Sequence, residues 1–91
     1  MSLAIRQSTS FRRDAKRLLR QGLDLSKLET AVEALVAQQP LDEQYRDHPL
    51  TGNWKGYREC HILPDWLLIY RLTTDELQLV RTGSHAELFG R

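Results

Sequence analysis

The chain holds three histidines, His48, His61 and His85, all in its second half. Each is set in a polar or aromatic phrase: Asp47-His48-Pro49-Leu50, Cys60-His61-Ile62-Leu63-Pro64-Asp65-Trp66 and Thr82-Gly83-Ser84-His85. Imidazole is the side chain that gives and takes protons near neutral pH. Three imidazoles and Asp65, at the edges of strand-like segments, suit a small acid–base active site. The competing reading is a scatter of surface histidines.

The spacing selects among chemistries. It matches no compact ligand motif such as H-E-x-x-H, so neither a metal nor another cofactor is expected. A nucleophile–histidine pair is also poorly served. Ser84 adjoins His85 too closely for a triad, no nucleophile elbow is present, and along a strand Cys60 points away from His61. Metal-independent cleavage of RNA fits better, because the 2′-hydroxyl of the substrate is itself the nucleophile. The protein then needs a base, an acid for the leaving 5′-oxygen, and a cation for the developing phosphate charge. Histidine, Asp65 and Arg81 supply these, and Phe89 or Trp66 can stack an unpaired base. Trp54 and Tyr70 read as core.

These residues need elements to hold them. The 91 residues, 41% hydrophobic and 27% charged, make one soluble globular domain over 1–91. Leu3-Ala4-Ile5-Arg6 reads as a first strand. Ser8, Thr9 and Ser10 offer caps for a helix over 10–21, with Phe11, Ala15, Leu18 and Leu19 as its apolar stripe and Gly22 closing it. A second helix is predicted over 24–38, stopped by Pro40, with Leu25, Leu28, Val32, Leu35 and Val36 facing inward. It is capped by the Ser26–Glu29 box or by Asp24. The two helices should form an antiparallel hairpin. Residues 45–55 read as loop, and strands are expected at 57–62, 66–72 and 77–81. The middle strand is almost continuously apolar, as a central strand should be. The order β-α-α-β-β-β gives an α+β fold, an antiparallel sheet with both helices on one face.

Strand alternation puts Tyr57, Glu59 and His61 on one side and Arg58, Cys60 and Ile62 on the other. The turn after His61 brings Asp65 near it, and Arg81 and His85 end the last strand. The net charge is only +1, yet Arg12, Arg13, Lys16, Arg17 and Arg20 crowd together, opposed only by Asp14. Such a stripe follows a phosphate backbone or is the solvated face of an ordinary helix. No apolar run approaches the roughly 20 residues of a membrane span, and the N-terminus lacks a signal-peptide core. A single cysteine allows no internal disulfide, so a reducing cytoplasm is expected.

The strings Tyr45-Arg46-Asp47-His48-Pro49-Leu50-Thr51-Gly52-Asn53-Trp54, Arg58 to Tyr70 and Arg81 to Phe89 resemble YafQ-type toxins of the RelE/ParE toxin superfamily, over nearly the whole chain. The resemblance implies a RelE-like microbial ribonuclease fold. It implies a type II toxin–antitoxin toxin that cuts translated mRNA in the ribosomal A site, leaving a 2′,3′-cyclic phosphate or 3′-phosphate and a 5′-hydroxyl without a metal. It implies a DinJ/RelB-type antitoxin with a ribbon-helix-helix end, and contact with operator DNA only through that antitoxin. By matching motifs the site is His48, His61, Asp65, His85 and Phe89, with Arg81 added. His85 is then the general acid and Asp65 or His48 the base. His61 shares protons, Arg81 holds phosphate and Phe89 positions the base, while the basic helix meets ribosome or antitoxin. Two other outcomes stay open: a non-catalytic co-repressor acting through its antitoxin, and a gyrase-directed toxin.

Overall fold

The computed structural model describes residues 2–90. Strand β1 (Ala4–Gln7) leads into helix α1 (Thr9–Arg20), where Ser8 Oγ accepts from the Phe11 N–H at 2.9 Å. Phe11, Leu18 and also Asp14 are buried, whereas Leu19 is exposed. At 100° per residue Asp14 and Leu19 lie on opposite flanks of the stripe, so turning Asp14 inward turns Leu19 out. Gly22, at φ +85°, lets the Leu23 N–H reach back to the Leu18 carbonyl and ends the helix as expected.

Helix α2 (Leu25–Val36) is capped by Asp24, whose Oδ1 accepts from Ser26 N and Oγ, and not by the Ser26–Glu29 box. It stops before Pro40. Gln38 takes a left-handed φ of 58°, and the Gln39 N–H closes onto the Ala34 carbonyl. That local closure ends the helix without the proline.

Strands β2 (His48–Pro49), β3 (Arg58–Leu63), β4 (Trp66–Leu72) and β5 (Glu76–Gly83) complete a five-stranded sheet in the order β1-β5-β4-β3-β2. Helix α3 (His85–Phe89) follows β5. The expected α+β order holds, with refinements. The sheet is mixed, because β1 pairs with β5 in parallel across the helical crossover. The expected loop contains β2, too short for a periodicity to register.

β4 is central. Trp66, Leu68 and Tyr70 join Phe11, Leu18, Leu28, Leu35, Cys60 and Leu79 in the core under the helices. Leu67 and Ile69 alternate to the other face and are equally buried. There they lie opposite His61 and Glu59 of β3, so the polar groups of that face stand over an apolar floor. A bulge separates the pairs Tyr70–Leu79 and Ile69–Arg81, leaving Val80 as the extra residue just before the site.

Candidate active site

His48 is positioned by short-range geometry on each side. Asp47 accepts from the Tyr70 hydroxyl and, at 3.3 Å, from Arg58 Nε, which ties the chain to the sheet. Arg46 then takes a left-handed φ of 48°, and its carbonyl lies 2.6 Å from His48 Nδ1. In the β2–β3 register His48 stands directly across from Glu59, and His48 Nε2 is 3.1 Å from Glu59 Oε2. A carbonyl only accepts hydrogen bonds, and so does a carboxylate. The ring satisfies both partners only if the His48–Glu59 pair carries one proton beyond a neutral imidazole and a carboxylate. Glu59 is 6% exposed, and among the described residues its Oε1 has no hydrogen-bond partner.

His85 is held from two directions. Ser84 caps α3 in a reciprocal box: its Oγ accepts from the Glu87 N–H, while Glu87 Oε1 accepts from the Ser84 N–H. Asp65, in the β3–β4 turn, accepts from the His85 backbone N–H at 3.0 Å and lies 2.7 Å from His85 Nδ1. These two contacts, the backbone one first, hold the Asp65 carboxyl below the usual carboxylate range. The expected partner of Asp65 was His61. The turn instead delivers it to His85, which the register sets nearby by placing Gly83 opposite Leu67.

His61 bridges the two ends. Its ring centroid is 6.2 Å from that of His48 and 5.9 Å from that of His85, and its Nδ1 is buried without a hydrogen-bond partner among the described residues. The three imidazoles therefore form a row, with Glu59 behind one end and Asp65 behind the other. The His48 and His85 side chains are each nearly half exposed, so both ends are reachable. Such a row can remove a proton at one end and return one at the other.

Other candidates land elsewhere. Trp66 is buried, with Nε1 donating to Thr82 Oγ1 at 2.9 Å, so it cannot stack on RNA. Tyr70 is core, as expected. Trp54 is not: it meets Tyr57 and Phe89 edge-on at 5.6 and 6.2 Å, one turn of α3 beyond His85. The aromatic partner of Phe89 is therefore Trp54, whose one sequence signal was a large aromatic in the polar phrase Gly52-Asn53-Trp54-Lys55. Cys60 is fully buried, and burial, followed by the charges of Asp47 and Glu59, pushes its thiol up to about 12. It supplies no thiolate.

Arg81 is drawn away from His85. Its Nε donates to Asp14 Oδ2 at 2.6 Å and its Nη2 to Asp14 Oδ1 at 3.1 Å. Asp14 also accepts from Arg17 Nη1 and the Thr82 N–H. Burial raises the Asp14 carboxyl, but hydrogen bonds from Arg81, Thr82 and Arg17 outweigh it and hold the group below its ordinary value. Arg17 Nη2 donates to the Thr82 carbonyl. Arg17 Nε lies 2.8 Å from Glu87 Oε2 off the N–H line, an ion pair without a hydrogen bond. A Cβ on Gly83 would lie 2.8 Å from Arg17 Nη2 and from Glu87 Oε1, so a side chain there must push both tips aside, at a φ of 152° that other residues rarely adopt. Arg17 thus leaves the basic stripe, while Arg12, Arg13, Lys16 and Arg20 stay exposed.

Fold and site together define a small α+β protein with histidines and carboxylates gathered on one face of its sheet. Over residues 3–90 the sequence matches the family described as bacterial toxin of type II toxin-antitoxin system, YafQ, and the chain belongs to that family. The mRNA interferase toxin YafQ of Escherichia coli K12 is 45% identical over 87 residues, covering 94% of this chain and 95% of that one. The toxin in the crystal structure of the E. coli DinJ-YafQ toxin-antitoxin complex superposes with a TM-score of 0.91 at 43% identity, covering 99% of this chain and 100% of that one. A metal-bound toxin from Helicobacter pylori matches with a TM-score of 0.91 at 47% identity, covering 96% of this chain and 99% of that one. Among the described residues of this chain no group of three His, Cys, Asp or Glu is placed to hold a metal ion. The RelE-like fold implied by the sequence is the fold found. Among the described residues no helix is long and apolar enough to cross a membrane.

Proposed function

We propose that this chain is an endoribonuclease, an mRNA interferase that cuts translated mRNA in the ribosomal A site without a metal. The observation that carries this reading is the histidine row with a carboxylate behind each end. The His48–Glu59 pair, once it has given up its extra proton and His48 Nε2 has turned free of Glu59, takes the proton of the 2′-hydroxyl. The 2′-oxygen attacks phosphorus and the bond to the 5′-oxygen breaks. His85 protonates that leaving oxygen from Nε2, because its Nδ1 is engaged by Asp65. The products are a 2′,3′-cyclic phosphate, which water opens to a 3′-phosphate, and a 5′-hydroxyl. Asp65 positions His85 and is not the base, since the same hydrogen bonds lower its proton affinity. His61 faces the phosphate between them. Phe89 and Trp54 offer a stacking edge beside His85. Arg81, paired with Asp14, acts on phosphate only as a nearby charge.

In its host the partner is an antitoxin of DinJ/RelB type with a ribbon-helix-helix end, through which alone operator DNA is reached. The exposed Arg12, Arg13, Lys16 and Arg20 suit ribosomal RNA or an acidic antitoxin segment. The site of action is the cytoplasm, where translated mRNA is found.

The test is expression without antitoxin, with mRNA 5′ ends mapped. Growth arrest with in-frame cuts is expected, lost by about 10²- to 10⁴-fold in His85→Ala at equal level of folded protein. Cutting should persist when copper and zinc are chelated and magnesium is retained for the ribosome. Intact ribosomal mRNA beside tighter antitoxin–operator binding would establish the co-repressor instead, and inhibited supercoiling would establish a gyrase toxin.

A further inference from the structure

A cleft of about 630 Å³ runs off the histidine row, between α2, the 3-10 turn Glu43–Tyr45 and the β3–β4 hairpin. His61 belongs to both: its ring stands in the row, and the residue lines the cleft. Lys27 and Thr30 of α2 face Gln44, Tyr45 and Arg46 across it. The lining includes two cations and no carboxylate, in a chain whose net charge is only +1. Tyr45 is half-buried against the core, which holds its ring in place.

We propose that this cleft is the subsite for the mRNA nucleotide on the 5′ side of the cut, with backbone phosphate on Lys27 and Arg46 and the base against Tyr45. The assignment rests on the cleavage reading above, and three features carry it. The volume lies within the range of small-ligand sites, and the lining combines an aromatic face with a few polar groups. Its sign suits a polyanion, and aromatic stacking accepts unpaired bases without demanding a sequence. Its position gives the direction. The cleft meets the row at His61, and Arg46, which also lines it, is the residue whose carbonyl orients His48. The base at the His48 end deprotonates a 2′-hydroxyl, which belongs to the nucleotide preceding the scissile phosphate. The Phe89–Trp54 edge beside His85 is left for the nucleotide that follows. A phosphate held by the Arg46 side chain also steadies the residue whose backbone orients the base.

Lys27 and Arg46 are exposed, so Lys27→Gln and Arg46→Gln test the cleft without threatening the fold. On ribosomes programmed with one defined mRNA, the double variant should raise KM about tenfold at nearly constant kcat. The same mRNA made abasic at the nucleotide before the cut keeps its phosphate, so it should impair the wild type and impair Tyr45→Leu no further. An abasic loss in Tyr45→Leu equal to that of the wild type would place the base elsewhere and overturn the assignment. So would wild-type kinetics in the double variant. Binding is read separately, by NMR titration of the isolated toxin with a short RNA carrying a 2′-O-methyl group at the cut. Shifts at Lys27, Tyr45, Arg46 and His61 are expected, and shifts confined to His85 and Phe89 would also sink the proposal. Cleft shifts in a protein that never cuts mRNA would retain the site and remove the cleavage reading.

Discussion

Two buried carboxylates divide the molecule. Asp14 is 2% exposed and Glu59 is 6% exposed, one under the helices and one on the open face. Asp14 takes hydrogen bonds from Arg81, Arg17 and the Thr82 N–H. Among the described residues Glu59 meets His48 through Oε2, and its Oε1 has no hydrogen-bond partner. Burying a charged group is costly, and full pairing is the usual compensation. Asp14 follows that rule and joins α1 to the end of β5. Glu59 departs from it: among the described residues its side chain is held through one oxygen, by a histidine. The contrast separates an acid that ties the fold together from one that stands beside the histidine row.

The contrast breaks most visibly at Asp14. Asp14→Ala leaves Arg81 and Arg17 without their shared anion and should cost about 3–5 kcal/mol in urea denaturation. A loss below about 1 kcal/mol would show that the cluster is not structural. Glu59→Gln should do the reverse: a change in stability of under about 1 kcal/mol, with cleavage reduced about tenfold or more. If that variant unfolds as readily as Asp14→Ala, the two acids do not differ in kind.

A smaller effect sharpens the same point through pH. The Asp14 carboxyl lies below its ordinary value in the folded chain, so the folded state binds protons less readily than the unfolded one. Its stabilisation is in full force above the unfolded value of 3.8 and fades as pH falls below it. Urea midpoints should therefore drop more steeply below pH 4 in the wild type than in Asp14→Asn. Parallel curves would remove Asp14 from the acid sensitivity. Asp65 is also lowered, but it is exposed and adds little to this slope.

Much of this was legible along the chain. The periodicity of residues 9–36 marks both helices, and the apolar run 66–70 marks the central strand. Alternation placed Glu59 and His61 on one face, away from Cys60. What failed did so for definable reasons. Leu19 looked inward because periodicity scores apolar residues and has no means of valuing a buried aspartate. Arg81 looked like a phosphate ligand because its partner Asp14 is 67 residues away in sequence. Trp66 is buried and Trp54 is partly exposed beside Phe89, the reverse of the expectation, since aromatic type alone does not say which side of a sheet a ring reaches. Glu59 was placed on the right face, but its pairing with His48 needs a two-residue strand that no pattern announces.

By itself, then, the sequence determined the elements, the face of β3 that bears His61, and the residue types for acid–base chemistry, because these follow from local periodicity and side-chain chemistry. Only the tertiary structure decided the pairings: Asp65 with His85, Glu59 with His48, Asp14 with Arg81. The physical reason is that a carboxylate is lowered, saturated or left half-satisfied by the groups around it in space. Those groups come from strand register and helix packing, which join residues far apart along the chain.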